Sequence, residues 1–268
     1  MGTDMRSHAT DQQEAQRLRA FWNSRYKEFS LRESGIKTLT PKYSELLYRC
    51  KRKAYCRALD CAGIDPARQV RILDGGCGQG FFASVAHQVF QSPIYTGVDI
   101  SERAIAFLRP LFPEFNWICA DLCDRRSFLD DKFDIVQSIE VLHLILDDQN
   151  HSQAISNMAS ATAPNGILII TDTLPQSNEH VNEYIVFRPA EYYERLFNQL
   201  GLSLLEVFPM YYWLPDMGLT AVRLRQWFRT LPPYLVYCLD RLFLRLKIPQ
   251  VRQSHDSKMK MIVCQKIS

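Results

Sequence analysis

The stretch VRILDGGCGQGF, residues 70–81, joins a short apolar segment to a glycine-rich turn. The apolar segment ends at Asp74, and glycines occupy positions 75, 76, 78 and 80. Glycine lets a backbone turn tightly and approach a ligand closely. A helix-like stretch follows at once, and the free N–H groups of a helix N-terminus suit ligand binding. The pattern therefore predicts a strand, a ligand-binding turn and a helix.

Segments like Val70–Asp74, short and rich in β-branched or aromatic residues, recur along the chain. They lie at 94–99, 115–120, 133–139 and 166–172, and two later ones lie at 202–208 and 259–266. Helix-like stretches separate the earlier ones, at 80–90, 101–108, 149–162 and 189–200. Alternating strands and helices predict a parallel sheet with helices on both faces.

Composition excludes several classes of protein. The chain has 268 residues, 47% hydrophobic and 23% charged, with a formal net charge of +3. That charge is too small to argue for nucleic acid as a partner. No apolar run reaches the ~18 residues of a membrane span, and the N-terminal residues lack an apolar signal core. Eight cysteines without a C-x-x-C pair predict reduced thiols, no metal site and a cytoplasmic protein.

Two more carboxylates follow predicted strands. Asp99 closes the second strand, where an acidic residue can accept hydrogen bonds from both hydroxyls of a ribose. Asp121 follows the third strand, in CADL. One such aspartate is commonly a helix cap or a turn residue. Three in order, at Asp74, Asp99 and Asp121, indicate a nucleoside-type ligand along one edge of the sheet.

At these residues the sequence resembles the class I S-adenosylmethionine (SAM) dependent methyltransferases. The matching pieces are ILDGGCGQG, YTGVDIS, CADL, FDIVQSIEVLHLI and APNGILIITDTL, between about residues 70 and 174. The resemblance implies an α/β, doubly wound, mostly parallel seven-stranded sheet of Rossmann-like type. Its last strand, at 260–266, would be antiparallel.

The resemblance also implies SAM as the cofactor. In that family the glycine loop lies against the methionine, the acidic residue after the second strand holds the ribose, and the end of the third strand holds the adenine. The end of the fourth strand flanks the methionine and the reacting methyl group. The cofactor-binding residues carried over are Asp74, Gly76, Cys77 through its backbone, Gly78, Asp99, Ile100, Asp121, Leu122 and Ile139.

The glycine-rich motifs of other nucleotide-binding families fit this sequence less well. A dinucleotide-binding G-x-G-x-x-G starting at Gly76 fails because its sixth position is Phe81. A P-loop is excluded because no Gly-Lys-Ser/Thr follows. The Asp/Asn-Pro-Pro-Tyr motif of many base and amide N-methyltransferases is replaced after the fourth strand by SIEVLH. A protein that binds SAM without turnover stays open as an alternative.

We therefore expect methyl transfer to a small-molecule, glycan or lipid-linked acceptor, with a hydroxyl oxygen as the first choice. Carbon or nitrogen methylation of a natural-product or quinone-type acceptor is the enzymatic alternative. A hydroxyl acceptor must lose a proton, so a base is expected. The candidates are His180, in the loop after the fifth strand, and His143, after the fourth. The sequence does not indicate an oligomeric state.

The sequence also predicts the structure of three further regions. Residues 1–68 are predicted to form an N-terminal helical cap that is frayed over 1–15. Within it, the residues that are candidates to lie over SAM are Trp22, Arg25 and Tyr26. Its helix at 43–61 is expected to present Arg49, Lys51, Arg52 and Lys53 to solvent. The core would span 69–268 and contain a helical lid insert at about 213–254. Two apolar stripes with a basic excess in this insert suit contact with the acceptor or a membrane surface.

Overall fold

The computed structural model describes residues 4–28, 30, 41–124, 131–211, 233–246 and 259–267. Its strands, in chain order, are β1 (Arg71–Gly75), β2 (Ile94–Asp99), β3 (Asn116–Cys119), β4 (Phe133–Ser138), β5 (Thr162–Asp172), β6 (Glu179–Asn182), β7 (Ile185–Phe187), β8 (Leu202–Pro209) and β9 (Lys260–Lys266). The helices are α1 (Asp4–Arg25), α2 (Pro41–Cys61), α3 (Phe81–Val89), α4 (Glu102–Leu111), α5 (Asp148–Ala161), α6 (Ala190–Leu200) and α7 (Pro233–Leu246).

A seven-stranded sheet in the order β3-β2-β1-β4-β5-β9-β8 forms the centre of the fold. The pairs among β1 to β5 are parallel, and β9 runs antiparallel to both of its neighbours, β5 and β8. This confirms the predicted fold class. β9 starts opposite Asp172, at the carboxyl end of β5, and ends opposite Leu202.

Side chains of the central strands alternate between two buried layers, as the period of two in a strand requires. Ile72, Ile135 and Ile169 belong to the layer that includes residues of α2, α3 and α4. Leu73 and Val136 belong to the other layer, which includes residues of α5 and α6. The sheet is therefore covered by helices on both faces, and its strands read as nearly continuous apolar runs.

Two regions differ from the sequence expectations. α1 begins at Asp4, within the segment expected to fray, and its second half is held by contacts with Ser101 and with Glu183 and Tyr184. β6 and β7 form an antiparallel hairpin inside the predicted loop after β5. Both of its strands are short, which weakens any strand signal in the sequence.

Of the predicted insert at about 213–254, the structure describes α7 alone. The remaining positions of its two proposed apolar stripes, including Met217–Leu231, lie outside the described residues. Among the helices of the described ranges, none is long and apolar enough to cross a membrane.

Candidate functional site

The glycine turn after β1 has the backbone conformation that its composition predicts. Gly76, Gly78 and Gly80 have φ values of 77°, 53° and 76°. Other residue types rarely adopt this left-handed region. The amides of Gly76 and Cys77 both donate to the carbonyl of Val98, at 2.7 and 3.0 Å, which ties the turn to β2. The turn is thus fixed between β1 and β2 at the carboxyl edge of the sheet.

Asp99 joins the end of β2 to the same turn. Its buried carboxylate accepts hydrogen bonds from the amides of Gly78 and Ser101, both at 2.8 Å. Burial raises the pKa of Asp99 to about 6, although both amide bonds favour the charged form. Asp99 also lines the main cavity, so its free lone pairs can accept hydrogen bonds from a ligand.

Asp74 lies behind the turn. It is buried at the end of β1, accepts a hydrogen bond from the Tyr95 hydroxyl, and does not line the cavity. Burial raises its pKa to about 6, while the bond from Tyr95 acts in the opposite direction. Asp74 therefore supports the turn, and its role as a cofactor-binding residue stays a prediction.

A cavity of about 940 Å³, counting the space at its open mouth, lies at the carboxyl ends of β1, β2 and β4. Ligands of open α/β sheets bind at this edge. The sequence-predicted cofactor residues that line the cavity are Gly76, Cys77, Gly78, Asp99, Ile100, Asp121, Leu122 and Ile139. The structure thus brings together residues from four separate strand ends.

The hydrogen-bond acceptors and apolar groups of this cavity fit SAM. Carboxylates at Asp99 and Asp121 can accept from the ribose hydroxyls and the adenine amine, which are donors. Leu122 and Ile139 supply apolar contact, and the turn offers backbone close to the ligand. Among the described residues, no group of three or more His, Cys, Asp or Glu side chains could hold a metal ion.

α1 closes one side of the cavity with Leu18, Trp22 and Tyr26. The rings of Trp22 and Tyr26 stack at 5.2 Å, and Tyr26 is buried. Arg25 lies over the Trp22 ring, at 5.4 Å, and is not among the lining residues.

Contacts on two sides hold α1 in this place. On one side, the Ser101 hydroxyl donates to Asn23 Oδ1 at 2.7 Å. On the other, Arg17 donates to the carbonyl of Glu183, at 3.0 Å, in the turn between β6 and β7. Phe21 stacks on Tyr184 of the same turn, with ring centres 5.0 Å apart. The hairpin in the loop after β5 therefore supports the helix that covers the cavity.

A partly buried ion pair also lies in the cavity wall. Lys51 of α2 donates to Glu140, which follows β4 and has a left-handed φ of 60°. The Tyr211 hydroxyl donates to the other carboxylate oxygen at 2.9 Å, and the Glu140 amide donates to Thr171 at 2.7 Å. Lys51 was expected on a solvated face of α2. It is buried instead, because a carboxylate distant in sequence pairs with its ammonium group.

Each charged side chain of this pair stabilises the ionised form of the other. Burial disfavours the Lys51 ammonium, but the Glu140 carboxylate outweighs burial and raises the pKa of Lys51 above its ordinary value. Burial likewise opposes ionisation of Glu140, and Lys51 overcomes it, so the pKa of Glu140 is lowered. Both side chains line the cavity in their charged forms. Lys51 had no sequence signal, since its partner is visible only in the fold.

The two histidines proposed as bases lie outside the set of lining residues. His143 is buried in the short 3₁₀ turn Leu142–Leu144, with its ring 5.3 Å from that of Phe187. Burial lowers the pKa of His143 to about 4, so its imidazole is neutral at pH 7. His180 is exposed on β6. The catalytic roles of both residues stay predictions.

Comparison with known proteins agrees with this geometry. Residues 73–170 match the family model described as a methyltransferase domain. A phthiotriol/phenolphthiotriol dimycocerosates methyltransferase 1 of Mycobacterium ulcerans (strain Agy99) is 29% identical over 111 residues, 41% of this chain and 39% of that protein. A fatty-acid O-methyltransferase of Mycolicibacterium smegmatis (strain ATCC 700084 / mc(2)155) is 30% identical over 108 residues, 40% of this chain and 38% of that protein. The matches thus span about two fifths of these relatives.

A solved structure with this fold is the magnesium protoporphyrin IX methyltransferase of Synechocystis PCC 6803 with bound SAM. It has a TM-score of 0.58 at 13% identity and covers 94% of this chain and 97% of its own. The matched domain over residues 73–170, the strand order and the cavity agree with the resemblance of the chain to the class I SAM-dependent methyltransferases. The resemblance seen in the sequence is confirmed, and so is SAM as the cofactor of this class.

Proposed function

We propose that the protein transfers the methyl group of SAM to an oxygen of a lipid-type or other apolar small-molecule acceptor. The observation that carries this proposal is the cavity itself. Its carboxylate-bearing side, at Asp99 and Asp121, suits the cofactor. The lining also includes apolar and aromatic residues, among them Trp22, Leu144 and Ile145. The curated relatives are named as methyltransferases of a fatty acid and of a dimycocerosate lipid, which supports an apolar acceptor.

In the proposed arrangement Asp99 accepts from the ribose, and Asp121 and Leu122 border the adenine. The turn at Gly76–Gly78 follows the methionine, and Ile139 and Glu140 flank the methyl group. When bound, SAM supplies a methyl group already activated by the positive sulfonium. The protein's main task is then to hold an acceptor oxygen in line, for which effective molarities of roughly 10⁵ M or more are known.

Glu140 and Lys51 give the acceptor end of the cavity its polarity. A carboxylate held ionised by Lys51 and Tyr211 can accept a hydrogen bond from an acceptor hydroxyl and so orient it. A carboxylic acid acceptor would already be ionised at pH 7 and would need no base. A hydroxyl acceptor would need one, for which His143 and His180 remain the proposed candidates.

The test is methyl transfer from labelled SAM to separate acceptors: a long-chain fatty acid, a long-chain alcohol and a water-soluble sugar. We expect label in the lipid fractions and not in the sugar. A methyl ester releases its label in mild alkali, whereas an ether, an N-methyl or a C-methyl product does not. Asp99→Ala should lower transfer roughly ten- to hundredfold at limiting SAM, and Arg68→Ala, at an exposed site before β1, is the matched control.

Two results would overturn the proposal. One is SAM binding without transfer to any acceptor, which would favour a binding protein. The other is transfer only to the sugar, which would remove the apolar acceptor.

A further inference from the structure

α7 forms an outer layer on α2, away from the central sheet. Tyr237 is the buried anchor of this contact, with 5% of its surface exposed. The Arg49 guanidinium carbon and the Lys53 ammonium of α2 lie 5.5 and 5.3 Å from the centre of its ring. Cations at this distance from an aromatic face are attracted to it. One side of α7 is thereby fixed against a basic part of α2.

The outward side of α7 is apolar. Tyr234, Leu235 and Leu242 have 63%, 44% and 48% of their surface exposed. Leu235 and Leu242 are seven residues apart, two turns of helix, and so they lie on the same side. Large apolar side chains placed together in water indicate a surface that contacts another apolar phase. We call Tyr234, Leu235 and Leu242 the apolar strip.

Positively charged side chains are exposed on both helices. Arg49, Arg52 and Lys53 are exposed on α2, and Arg245 is exposed on the last turn of α7. Lys51 and Arg57 of α2 are already paired with Glu140 and Glu206. The charge that would complement this surface is negative.

We propose that α7 and the exposed basic residues of α2 dock the protein on anionic lipid bilayers. The apolar strip enters the boundary between headgroups and acyl chains, with α7 lying in the plane of the surface. Arg245, about one turn after Leu242 on α7, contacts the lipid phosphates, and the exposed basic residues of α2 add to the attraction. Apolar contact and basic residues are the two attractions that hold an interfacial helix. This inference goes beyond the proposed methyl transfer and holds whatever the acceptor is.

The experiment is flotation of the purified full chain with vesicles of phosphatidylcholine, with and without phosphatidylglycerol. We expect binding to the anionic vesicles at about 0.1 M salt and much less at about 1 M, because the Debye length falls from roughly 10 Å to 3 Å. Pure phosphatidylcholine vesicles should bind less at both salt concentrations. No acceptor and no SAM are needed, so failure here leaves the proposed function untouched.

Variants separate the two attractions. Arg245→Glu should weaken binding at least about fivefold, the value of one surface charge near an anionic membrane. The double variant Leu235→Ser and Leu242→Ser should weaken it at both salt concentrations. Matched controls are Arg68→Glu, before β1, and Leu111→Ser, which is 48% exposed on α4. Circular dichroism melting shows whether each variant stays folded.

Three outcomes would overturn the proposal. The first is absence of binding to anionic vesicles at either salt concentration. The second is an equal loss in the control variants. The third is a dimer in light scattering that disappears in the double variant without any binding to vesicles, which would assign the apolar strip to a second copy of the chain.

Discussion

Lys51 of α2 and Glu140, two residues beyond β4, form an ion pair in the cavity wall across 89 residues of sequence. Their side chains are 5% and 22% exposed. Such a pair is costly to break, because the charge that remains is left in a poorly solvated place. It therefore ties the helix at the cavity wall to the loop that flanks the proposed methyl position.

Lys51→Met should lower the free energy of unfolding by about 3 kcal/mol, measured by urea denaturation. Arg57→Met is the matched control on the same helix, since Arg57 pairs with Glu206 through side chains that are 52% and 32% exposed. That change should cost less than about 1 kcal/mol. Equal losses in the two variants would show that the buried pair has no special role. Adding Glu140→Gln to Lys51→Met should restore part of the loss.

Gly76→Ala should destabilise the protein and weaken SAM binding. The new Cβ would lie 2.4 Å from Val141 Cγ2, and the residue has a φ of +77°. Strain and overlap together should cost about 3 kcal/mol. Gly63→Ala has similar strain, with a φ of +64°, but nothing within 4 Å of its Cβ. It should cost about 1 kcal/mol and leave SAM affinity unchanged, and calorimetry with both variants checks the difference.

Asp99→Ala should reduce SAM affinity roughly ten- to hundredfold, because two ribose hydroxyls would lose a charged acceptor. Isothermal calorimetry on the folded variant measures this. Unchanged affinity would place the cofactor elsewhere. Asp74→Asn is a useful comparison, since Asp74 is buried without lining the cavity and should affect stability more than affinity.

SAM affinity should also fall as the pH is lowered through about 6, the raised pKa of Asp99. At pH 5 most of the unliganded protein would carry a protonated Asp99, and affinity should drop up to about tenfold from pH 7.5. This loss does not reflect unfolding through Asp99. Its folded-state pKa lies above the unfolded value, so protonation of this group favours the folded state. Asp99→Asn should show a much flatter profile, and an unchanged slope would assign the effect to another group.

If a histidine removes the acceptor proton, His143→Gln or His180→Gln should lower kcat and leave SAM affinity within about twofold. We expect the larger effect at His143, because it follows Glu140 at the end of β4, whereas His180 is exposed on β6. Full turnover in both variants across pH would mean that the reaction proceeds by positioning alone or through another group.

The strands and the glycine turn could be predicted because their signals are local. Residues only a few positions apart determine the structure of these elements, as in the apolar runs of β2 and β4 and the four glycines before α3. The bounds of β2 agree with the predicted segment 94–99. Most of the predicted cofactor residues line the cavity for the same reason: each follows a strand, and the carboxyl ends of parallel strands meet at one edge.

The missed features depend on distant partners. Lys51 looks like any solvated lysine until the fold brings Glu140 beside it. In α1, Leu18 lines the cavity and Asn23 accepts a hydrogen bond from Ser101, 78 residues away. At the hairpin turn, the carbonyl of Glu183 accepts a hydrogen bond from Arg17, which is 166 residues away in the sequence. The domain boundary between residues 68 and 69 remains a prediction.

The direction of β9 has a practical consequence for handling the protein. β9 begins beside the carboxyl end of β5 and ends at Lys266, opposite Leu202 at the start of β8. Whatever is joined after Ile267 therefore leaves from the edge of the sheet opposite the cavity, where Ile267 donates to the carbonyl of Gly201 at 2.9 Å. An affinity tag or surface attachment placed after Ile267 leaves the cavity mouth clear.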